Sequence, residues 1–383
     1  MDEQYSEIRE AVRRVCADFP GSYWQKLDSE RTYPTTFVRA LTDNGFLGVL
    51  IPTEFGGSGL GLGAATAILE EVHRSGGNAA ACHAQMYTMG TVLRHGSIAQ
   101  KQRYLPGIAA GELRLQAFAI TEPASGTDTS RIRTFARRDG DHFIVNGHKI
   151  WISRAEHSDL LVLLARTTPR EAVHKSTEGM SVLLVDLREA VGHGLTICPI
   201  RTMLNHASTE LFFNDLAVPA ENLIGLEGSG FRYVLDGMNA ERILIASECI
   251  GDGRFFVDRA TAYAKERVVF GRRIGENQGI QFPIARAHIA IEAAAGMVER
   301  AHRLFDSGKP CGNDANMALM LASTASWQAA DMCVQTFGGF GFAEEYNIER
   351  KFRETRLYQV APISTNLILS HVATHALGLP KSY

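Results

Sequence analysis

The chain has no excess of charge of one sign and no long hydrophobic run. Its 383 residues carry 39 Lys and Arg against 42 Asp and Glu, a net charge of −3, so it lacks the basic surplus of nucleic-acid-binding proteins. No apolar stretch reaches the roughly 18 residues that a transmembrane helix needs. The first residues, MDEQYSEIRE, resemble neither a secretory signal nor an Arg-rich transit peptide. We expect no nucleic-acid partner, no membrane insertion and a cytoplasmic location.

Paired cysteines and metal-binding motifs are also missing. No CxxC pair occurs, and six cysteines are scattered through the chain at Cys16, Cys82, Cys198, Cys249, Cys311 and Cys333. They form no disulfide framework, and a reducing compartment fits them best. The 13 histidines include no HExxH or comparable run, so the sequence predicts no metal site. A GxGxxG fingerprint is absent as well, which argues against nicotinamide binding in a Rossmann fold.

Composition and periodicity predict a globular chain that begins with helices. Apolar residues make up 45% and charged residues 21%, both close to the averages for globular proteins. Residues 1–115 are predicted to be helical, because the segments 62–74 and 78–94 are Ala-rich and contain no Pro. Six glycines lie from Gly48 to Gly63. We interpret that segment as a structural crossover, with a phosphate-cradling loop as the alternative.

The middle region, residues 116–226, carries strand signals. Short apolar or alternating segments are separated by Gly, Asp, Asn and Pro, as in LQAFAITEP, HFIVNGHKIWIS, DLLVLLAR, MSVLLVDL and STELFFNDLAV. We interpret VNG as a turn that leads into the strand HKIWIS. Because no helical pattern separates the strands, we expect an antiparallel sheet or barrel and not a βαβ sheet.

Residues 227–383 are predicted to be helical again, since long apolar periodicity runs through 231–264, 281–306 and 313–337. The expected fold is therefore α+β and multidomain. An N-terminal helical domain covers residues 1–115, a middle antiparallel β domain covers residues 116–226, and a C-terminal helical bundle covers residues 227–383.

Glu241 is the main candidate for a general base. It points along an apolar helical stripe with Met238 and Ile245, and no basic residue lies three or four positions away. Burial on such a stripe would disfavour the charged form and raise the pKa of Glu241, which produces a base that works near neutral pH. The alternative is a structural ion pair with another helix through the adjacent Arg242.

Three further segments suit a charged or flat ligand. The loop TEPASGTD at 121–128 offers backbone N–H groups and hydroxyls, although an ordinary β-turn is the alternative. The cationic run KERVVFGRRIGENQ at 265–278 is either a solvated face or a phosphate clamp. The glycines of QTFGGFGF at 335–342 allow close backbone approach to something flat or charged.

Taken in order, these segments resemble motifs of the acyl-CoA dehydrogenase family, across nearly the whole chain. AITEPASGTD is similar to the family's TEPxAGSD turn, and GHKIWIS is similar to its GxKxWIT motif. RVVFGRRIGENQ is similar to RxxFGxxI-xxxQ, and QTFGGFGFAEEYNIERKFRETRL is similar to QxxGGxGYxxEYxxER-xxRDARI. The resemblance implies the same three domains with a C-terminal four-helix bundle, FAD as the cofactor, and a homotetramer.

The resemblance also implies binding residues. The isoalloxazine and ribityl part of FAD would be surrounded by Phe118, Ile120, Thr121, Gly126, Thr127, Trp151 and Ser153. The pyrophosphate and adenosine end of a neighbouring subunit's FAD would be reached by Arg267, Phe270, Gln278, Gln335, Gly338 and Gly339. The substrate would be held by Thr127, Asn239 and Arg242, with its acyl tail along Met86, Met89, Gly90 and Leu93.

The implied reaction is α,β-dehydrogenation of an acyl-CoA thioester to the trans-2-enoyl-CoA, with hydride transfer to flavin N5. Most family members carry the base in a YEGTxE tail. Here that stretch is YQVAPISTN, from Tyr358 to Asn366, and no Asp or Glu follows Glu354. A smaller branch, with isovaleryl- and long-chain-type enzymes, carries its base in a helical Glu-Arg pair, which matches Glu241-Arg242. Pro362 has no N–H for the thioester carbonyl, which must accept hydrogen bonds as enolate-like charge grows.

The resemblance favours a dehydrogenase of fatty acid or amino acid catabolism that passes electrons to an electron-transfer flavoprotein. The chain ends in KSY and not in the peroxisomal SKL, which argues against an acyl-CoA oxidase. The same fold would also accommodate a reductase, a desulfinase or a non-catalytic flavin-fold binding protein. The sequence does not determine which acyl group is bound, because flexible Met side chains set no sharp limit on its length.

Overall fold

The structure is a computed structural model that describes residues 5–381. Residues 33–60 and 80–238 form one compact unit, which we call the sheet unit. The described residues up to 32, together with 61–79 and those from 239 onward, form a second, which we call the helical unit. Ser382 and Tyr383, the last two residues of the KSY ending, lie outside the described residues. Within residues 5–381, no helix is long and apolar enough to cross a membrane.

Among the described residues, six α-helices precede the first strand: α1 Ser6–Ala17, α2 Gly21–Glu30, α3 Thr35–Asp43, α4 Leu62–Arg74, α5 Ala80–His95 and α6 Ile98–Ala110. The helices predicted at 62–74 and 78–94 are confirmed as α4 and α5. Local chemistry sets the ends of α6. Ser97 and Gln100 form a capping box at its start, and Gly111 ends it with a φ of 73°.

The Gly-rich segment is a structural crossover, as interpreted from the sequence. Several of its backbone N–H groups bond within the segment, since Gly57 donates to the Pro52 carbonyl and Leu60 to the Val49 carbonyl. Those of Leu62 and Gly63 donate to the Asp306 carboxylate. A Cβ at Gly57 would lie 2.1 Å from the carbonyl oxygen of Ile51. Close backbone packing therefore accounts for that glycine, and the bonded N–H groups do not form a phosphate cradle.

The sheet unit contains an eight-stranded sheet, formed by β1 Leu115–Ala119, β2 Phe135–Asp139, β3 His142–Ser153, β4 Leu160–Arg166, β5 Met180–Asp186, β6 Leu195–Ile200, β7 Ser208–Pro219 and β8 Leu223–Ile224. The strand order is β6-β7-β3-β2-β4-β5-β8, with β1 paired to β4. Most neighbours are antiparallel, as predicted. However, β4 pairs in parallel with β1 and, at one residue pair, with β2. The short helix α7, Leu187–Ala190, follows β5.

The prediction of a turn at Asn146-Gly147 is wrong. Both residues lie inside β3, which pairs with β7 on either side of a register shift between Val145 and Gly147. A Cβ at Gly147 would lie 2.4 Å from the hydroxyl oxygen of Thr134. The glycine therefore permits the close approach of Thr134 at an irregular point of the strand and does not form a turn.

The centre of the sheet is buried on both faces. Alternate residues of β4 enter two hydrophobic clusters, with Leu161 and Leu163 in one and Val162 and Leu164 in the other, because successive side chains of a strand point to opposite faces. The second cluster includes Met89 of α5. This helix therefore covers one face of the sheet.

Three long helices follow the sheet: α8 Gly230–Glu266, α9 Gln278–Asp306 and α10 Gly312–Phe337. They confirm the helical segments predicted there. α8 belongs to the sheet unit up to Met238 and to the helical unit from Asn239. Two shorter helices come after α10, α11 Ile348–Arg356 and α12 Thr365–His371, and a hairpin of β9 Val268–Val269 and β10 Arg272–Arg273 connects α8 to α9.

A buried ionic network fixes α8 within the helical unit. Nδ1 of His73, on α4, lies 2.8 Å from Oδ1 of Asp252, on α8. Asp252 also contacts Nζ of Lys351, on α11. The Tyr358 hydroxyl donates to Glu248 of α8 at 3.0 Å. All five side chains are buried, so the network ties α8 to two other helices through charges that must stay paired.

Candidate active site

A buried ion pair fixes the turn that follows β1. Lys149 Nζ, on β3, donates to Glu122 Oε1 at 2.9 Å and to the Ile120 carbonyl at 2.8 Å. The Glu122 carboxylate also accepts hydrogen bonds from the backbone N–H groups of Arg133 and Thr134, at 2.7 and 2.9 Å. Lys149 is 0% exposed, so these four bonds compensate charges that would be costly to bury alone.

The pKa values of this pair follow from burial and mutual attraction. Burial lowers the pKa of Lys149 to about 8, although Glu122 acts in the opposite direction. Burial also acts to raise the pKa of Glu122, but Lys149 and the hydrogen bonds from Thr134 and Arg133 outweigh it and hold that pKa below its usual value. Glu122 is therefore ionised at neutral pH and serves as a structural anion.

Trp151 stands exposed beside this ion pair along β3. The Ile150 N–H donates to the Thr121 carbonyl at 3.0 Å, within the register shift between Lys149 and Ile152. Trp151 has a φ of 62°, a left-handed conformation that bulky residues rarely adopt, and the residue is 56% exposed. The strand irregularity therefore presents a flat aromatic side chain next to the turn that carries Thr121.

The other flavin residues predicted in the sheet unit lie on the same turn and strands. Phe118 and Ile120 are half-buried, as is Ser153 at the end of β3, whereas Gly126 and Thr127 are exposed on the turn. A Cβ at Gly126 would meet no heavy atom within 4 Å, so the space beside that backbone is open. The structure thus brings the predicted sheet-unit residues to one region, where β1 ends against β3.

α5 places apolar side chains beside Phe118. Met86 and Met89 are buried, and Met89 belongs to the hydrophobic cluster against which Phe118 and Ile120 pack. The Tyr87 ring meets the Phe118 ring edge-on, with 5.7 Å between centroids. A residue predicted to line the acyl tail, Met89, therefore shares one cluster with two residues predicted to contact flavin.

The candidate base lies in the helical unit. Glu241 is 8% exposed, in agreement with its predicted place on a buried stripe of α8. Arg242 Nη1 donates to Asn239 Oδ1 at 3.0 Å, which brings together two side chains predicted to hold substrate. Burial lowers the pKa of Arg242, against the attraction of Glu241.

Arg242 also presents a donor that suits a ligand. Its Nε is buried and has no hydrogen-bond partner among residues 5–381. Buried polar groups in folded proteins are nearly always hydrogen-bonded, so an unbonded guanidinium N–H at this position is suited to a carbonyl or phosphate oxygen of a bound molecule.

A second helical-unit group lies where α8 and α10 end. Gly338 follows α10 with a φ of 61°, and a Cβ there or at Gly339 would meet nothing within 4 Å. The Arg267 guanidinium carbon lies 5.7 Å from the centroid of the Phe340 ring, at cation–π distance. A cation thus stands beside an open glycine turn, and this combination suits phosphate oxygens.

The remaining predicted cofactor residues are on the surface of the helical unit. Phe270 and Gly271 form the two-residue turn between β9 and β10, with φ values of 53° and 78°, as a type I′ hairpin turn requires. Phe270 is fully exposed. Gln278, at the start of α9, and Gln335, in the last turn of α10, are exposed as well.

Glu241 lies on α8 and Arg267 directly follows the end of that helix, so the two residues are far apart. The 25 residues from Glu241 to Glu266 rise roughly 37 Å at the helical repeat. The structure therefore does not bring the candidate base and the candidate clamp to one place, and they do not contact the same small group of a ligand.

Sequence reasoning missed the roles of Glu122 and Lys149, although both lie inside the quoted motifs. The signal was present. Lys149 follows Phe143 and Val145 at alternate positions of β3, and a charge in an inward series requires a partner. Glu122 directly follows an apolar strand and is the acidic residue that supplies it.

The chain is similar to known proteins over almost its whole length. Family models for the N-terminal, middle and C-terminal domains of acyl-CoA dehydrogenase match residues 2–112, 117–216 and 228–377. The acyl-CoA dehydrogenase FadE12 of Mycobacterium tuberculosis H37Rv is 36% identical, over 99% of this chain and 98% of that protein. The cyclohex-1-ene-1-carbonyl-CoA dehydrogenase of Syntrophus aciditrophicus is 32% identical, over 100% and 91%. The solved glutaryl-coenzyme A dehydrogenase in complex with glutaryl-CoA has a TM-score of 0.92 and 30% identity, over 100% and 97%.

Lowering the pH should remove the stabilisation that Glu122 provides. Its folded-state pKa lies below the usual value of 4.5, so its contribution is complete above about pH 4.5 and is lost as the pH falls through the folded-state pKa. Glu122→Gln should lower the free energy of unfolding by about 3–5 kcal/mol at pH 7, and this difference should shrink in acid. Chemical denaturation at several pH values measures both.

Glu112→Gln is the matched control, because Glu112 is exposed in the same unit, and it should change stability little at any of these pH values. A deficit of Glu122→Gln that stays constant from pH 7 to pH 3 would contradict the ionised state assigned to Glu122.

Proposed function

The chain belongs to the acyl-CoA dehydrogenase family, and on this basis we propose that it catalyses the FAD-dependent α,β-dehydrogenation of an acyl-CoA thioester. The observation that carries the proposal is the buried carboxylate of Glu241, followed by the buried and unbonded Nε of Arg242. The tail of the chain contains no Asp or Glu after Glu354, so it offers no competing carboxylate at the family's commoner base position.

FAD is the redox cofactor of this family, and the described residues fit both of its ends. The exposed face of Trp151 and the adjoining Thr121 suit an isoalloxazine ring. The Arg267 cation and the open turn at Gly338 suit a pyrophosphate and adenosine end. When bound, FAD supplies the acceptor for the hydride that leaves the substrate's β carbon.

We assign abstraction of the α proton to Glu241. A carboxylate oxygen takes that proton, and the buried position keeps water from competing for it. Charge then grows on the thioester oxygen, which requires hydrogen-bond donors. Pro362 has no N–H to donate, whereas Arg242 and Asn239 form a bonded pair one turn or less from Glu241. We assign this pair to holding the substrate.

The residues proposed to contact the acyl tail, and the proposed branch of the family, are consistent with Glu241 as the base. Met86 and Met89 on α5, with Thr127 on the turn after β1, complete the proposed substrate residues. A base on α8 corresponds to the isovaleryl- and long-chain-type branch. The proposed domains are residues 1–115, 116–226 and 227–383, and the proposed location is the cytoplasm.

We propose a homotetramer in which a second copy of the chain covers an apolar surface of the helical unit. Large apolar side chains are exposed there on the hairpin, α9, α10 and the turn that follows α10: Val268, Phe270, Phe282, Ile289, Leu321 and Phe342. Exposed large apolar side chains of this kind are common at protein interfaces. Burial of the hairpin would also carry Arg267 to a neighbour's cofactor, in keeping with its distance from Glu241.

Glu241→Gln should slow reductive bleaching of the flavin by about a hundredfold or more, because an amide cannot accept the α proton. The measurement is anaerobic mixing of the holoenzyme with acyl-CoA thioesters of varied length and branching. Glu266→Gln, at the exposed end of the same helix, is the control and should bleach at the wild-type rate. Wild-type bleaching by Glu241→Gln would place the base elsewhere, and a wild type that no thioester bleaches would refute the proposed reaction.

Phe270→Asp should dissociate the oligomer, because it places a charge in the proposed interface. Arg267→Ala should keep the oligomer and weaken FAD retention, because it removes only the clamp. Light scattering gives the mass, and flavin absorbance after gel filtration gives the occupancy. Leu226→Asp is the control, since Leu226 is an exposed apolar residue of the sheet unit. A wild-type monomer that retains FAD, or extraction of FMN in place of FAD, would contradict these assignments.

Electrons from the reduced enzyme should pass to an electron-transfer flavoprotein or an artificial dye and not to oxygen. This expectation rests on the dehydrogenase names of the relatives. Dye reduction and peroxide are measured side by side in air with the best acyl-CoA thioester, with a reaction lacking thioester as the control. Peroxide formed as fast as dye is reduced would instead identify an oxidase.

A further inference from the structure

Helix α5 carries a row of buried polar side chains that the proposed mechanism does not use. Gln85, Thr88 and Thr91 follow one another at three-residue intervals, so their side chains lie on one side of the helix. Gln85 and Thr88 are 0% exposed and Thr91 is 1% exposed. We call these three residues the α5 stripe.

The polar atoms of the α5 stripe have no hydrogen-bond partner among residues 5–381. They are the amide nitrogen and oxygen of Gln85 and the hydroxyl oxygens of Thr88 and Thr91. By contrast, the buried hydroxyl of Thr42, on α3 in the same unit, donates to the Val38 carbonyl at 2.7 Å. Buried polar groups are nearly always bonded, and an unbonded one costs free energy. The stripe therefore indicates that a bound molecule supplies the missing partners.

The outer end of the α5 stripe faces the start of α8. A Cβ at Gly237 would lie 3.7 Å from the hydroxyl oxygen of Thr91. The ring of His95, one turn further along α5, stacks on the Tyr233 ring with 4.2 Å between centroids. Gly237 precedes Glu241 by four residues, so both lie on one side of α8, about one turn apart. The stripe thus meets α8 on the side that carries the proposed base.

The acyl tail is proposed to lie along the same helix. Gln85 and Met89 are four residues apart and are therefore neighbours on the surface of α5. Met89 is buried in the cluster against which Phe118 and Ile120 pack. A tail in contact with Met89 thus also passes Gln85, so it meets polar as well as apolar side chains.

The α5 stripe is neutral, and its groups both donate and accept hydrogen bonds. Threonine hydroxyls and a glutamine amide have this property, which matches a hydroxyl group of a ligand. A carboxylate would instead require a cation. Arg94 lies beside the stripe, 3.4 Å from the Cβ position of Gly237. However, Asp236 acts on the pKa of Arg94 against the effect of burial, so that guanidinium already faces a negative charge.

We propose that the α5 stripe selects acyl groups whose chain carries a hydroxyl group. A site built to hydrogen-bond a substrate hydroxyl rejects the analogue that lacks it, because the buried polar groups of the site then stay unpaired. An n-alkyl chain would leave the whole stripe unbonded, whereas a hydroxylated chain supplies both a donor and an acceptor. This inference rests on the proposed function for the reaction, but the unpaired state of the stripe in the free protein is independent of it.

The first test measures the stability of the holoenzyme without substrate. Thr88→Val keeps the shape of the side chain and removes its hydroxyl. Because that hydroxyl is buried and unpaired, the variant should melt at a higher temperature than the wild type in scanning calorimetry. Thr42→Val is the matched control and should melt lower, since it removes a hydroxyl that is bonded to the Val38 carbonyl. A lower melting temperature for Thr88→Val would show that its hydroxyl is already paired, and would overturn the assignment.

The second test compares ω-hydroxyacyl-CoA thioesters of increasing length with the n-acyl-CoA thioesters in which a methyl group replaces the hydroxyl. For the best pair, the wild type should have a kcat/KM about a hundredfold or more higher with the hydroxylated substrate. Thr88→Val combined with Thr91→Val should lower this ratio about tenfold or more and should raise kcat/KM for the n-acyl thioester, because its chain then meets apolar side chains.

The outcomes separate this inference from the proposed function. Equal turnover of the paired thioesters by the wild type would overturn the inference and leave the function intact. A preference for ω-carboxyacyl-CoA over both would assign the selection to Arg94 and overturn it as well.

If no thioester bleaches the flavin, calorimetric titration with the matching 2-enoyl-CoA products, which requires no reaction, decides the question. Tighter binding of the hydroxylated product, lost in the double variant, would support the stripe and refute the function. Equal binding of the two products would overturn the stripe too.

Discussion

The ion pair between Lys149 and Glu122 joins three segments of the sheet unit: β3, the turn after β1, and the residues that lead into β2. Both charges are buried, and a buried charge without its partner costs several kcal/mol, so the three segments cannot separate independently. The same ion pair also explains how Trp151 keeps an exposed ring on a backbone in the left-handed conformation. Such strain persists only where the surrounding structure over-determines it, and here the bonds of Lys149 and of the Ile150 N–H, directly before Trp151, do so. The exposed face of Trp151 thus depends on one buried contact, as does the arginine cleft, a concave wall lined by Arg131, Arg133, Arg166 and Arg170.

In the helical unit, buried ionic contacts fix α8 in a similar way. Glu241 lies two turns before Glu248 on α8, and therefore on the same side of that helix. Glu248 accepts the Tyr358 hydroxyl, and Asp252, one turn further, is bonded to His73 and contacts Lys351. Acidic residues on α8 thus have different roles according to their partners. Glu248 and Asp252 are held in a network that orients the helix, while Glu241 is buried on the same side of that helix, where we propose the base.

The elements could be predicted from the sequence where one local pattern determined them. Ala-rich periodic segments gave α4 and α5, and apolar runs gave β1 and β4. The turn assigned to Gly147 was wrong because its cause is non-local: Thr134 approaches the strand too closely for a side chain. The arginine cleft was missed for the same reason. Arg131 and Arg170 are 39 positions apart in the sequence, and the carbonyls gathered by Arg166, at the end of a buried strand, bring their segments together. Periodicity carries no information about such contacts.

The charged residues of this protein differ in where they lie: some form buried ion pairs that hold the fold together, and others are exposed cations. Buried pairs such as Lys149 with Glu122 are screened little by salt, whereas exposed cations act over roughly 8–10 Å at physiological ionic strength. Carboxylates in contact neutralise many surface arginines, for example Arg39 through Asp43. Arg131, Arg133 and Arg170 instead line a concave wall, and no described residue between 5 and 381 forms such a pair with them. Added salt should therefore weaken the attraction of these exposed arginines for anions at concentrations that leave the buried ion pairs intact. A net charge of −3 is compatible with a local surplus of cations in this cleft, because most of the acidic residues that balance the total lie elsewhere.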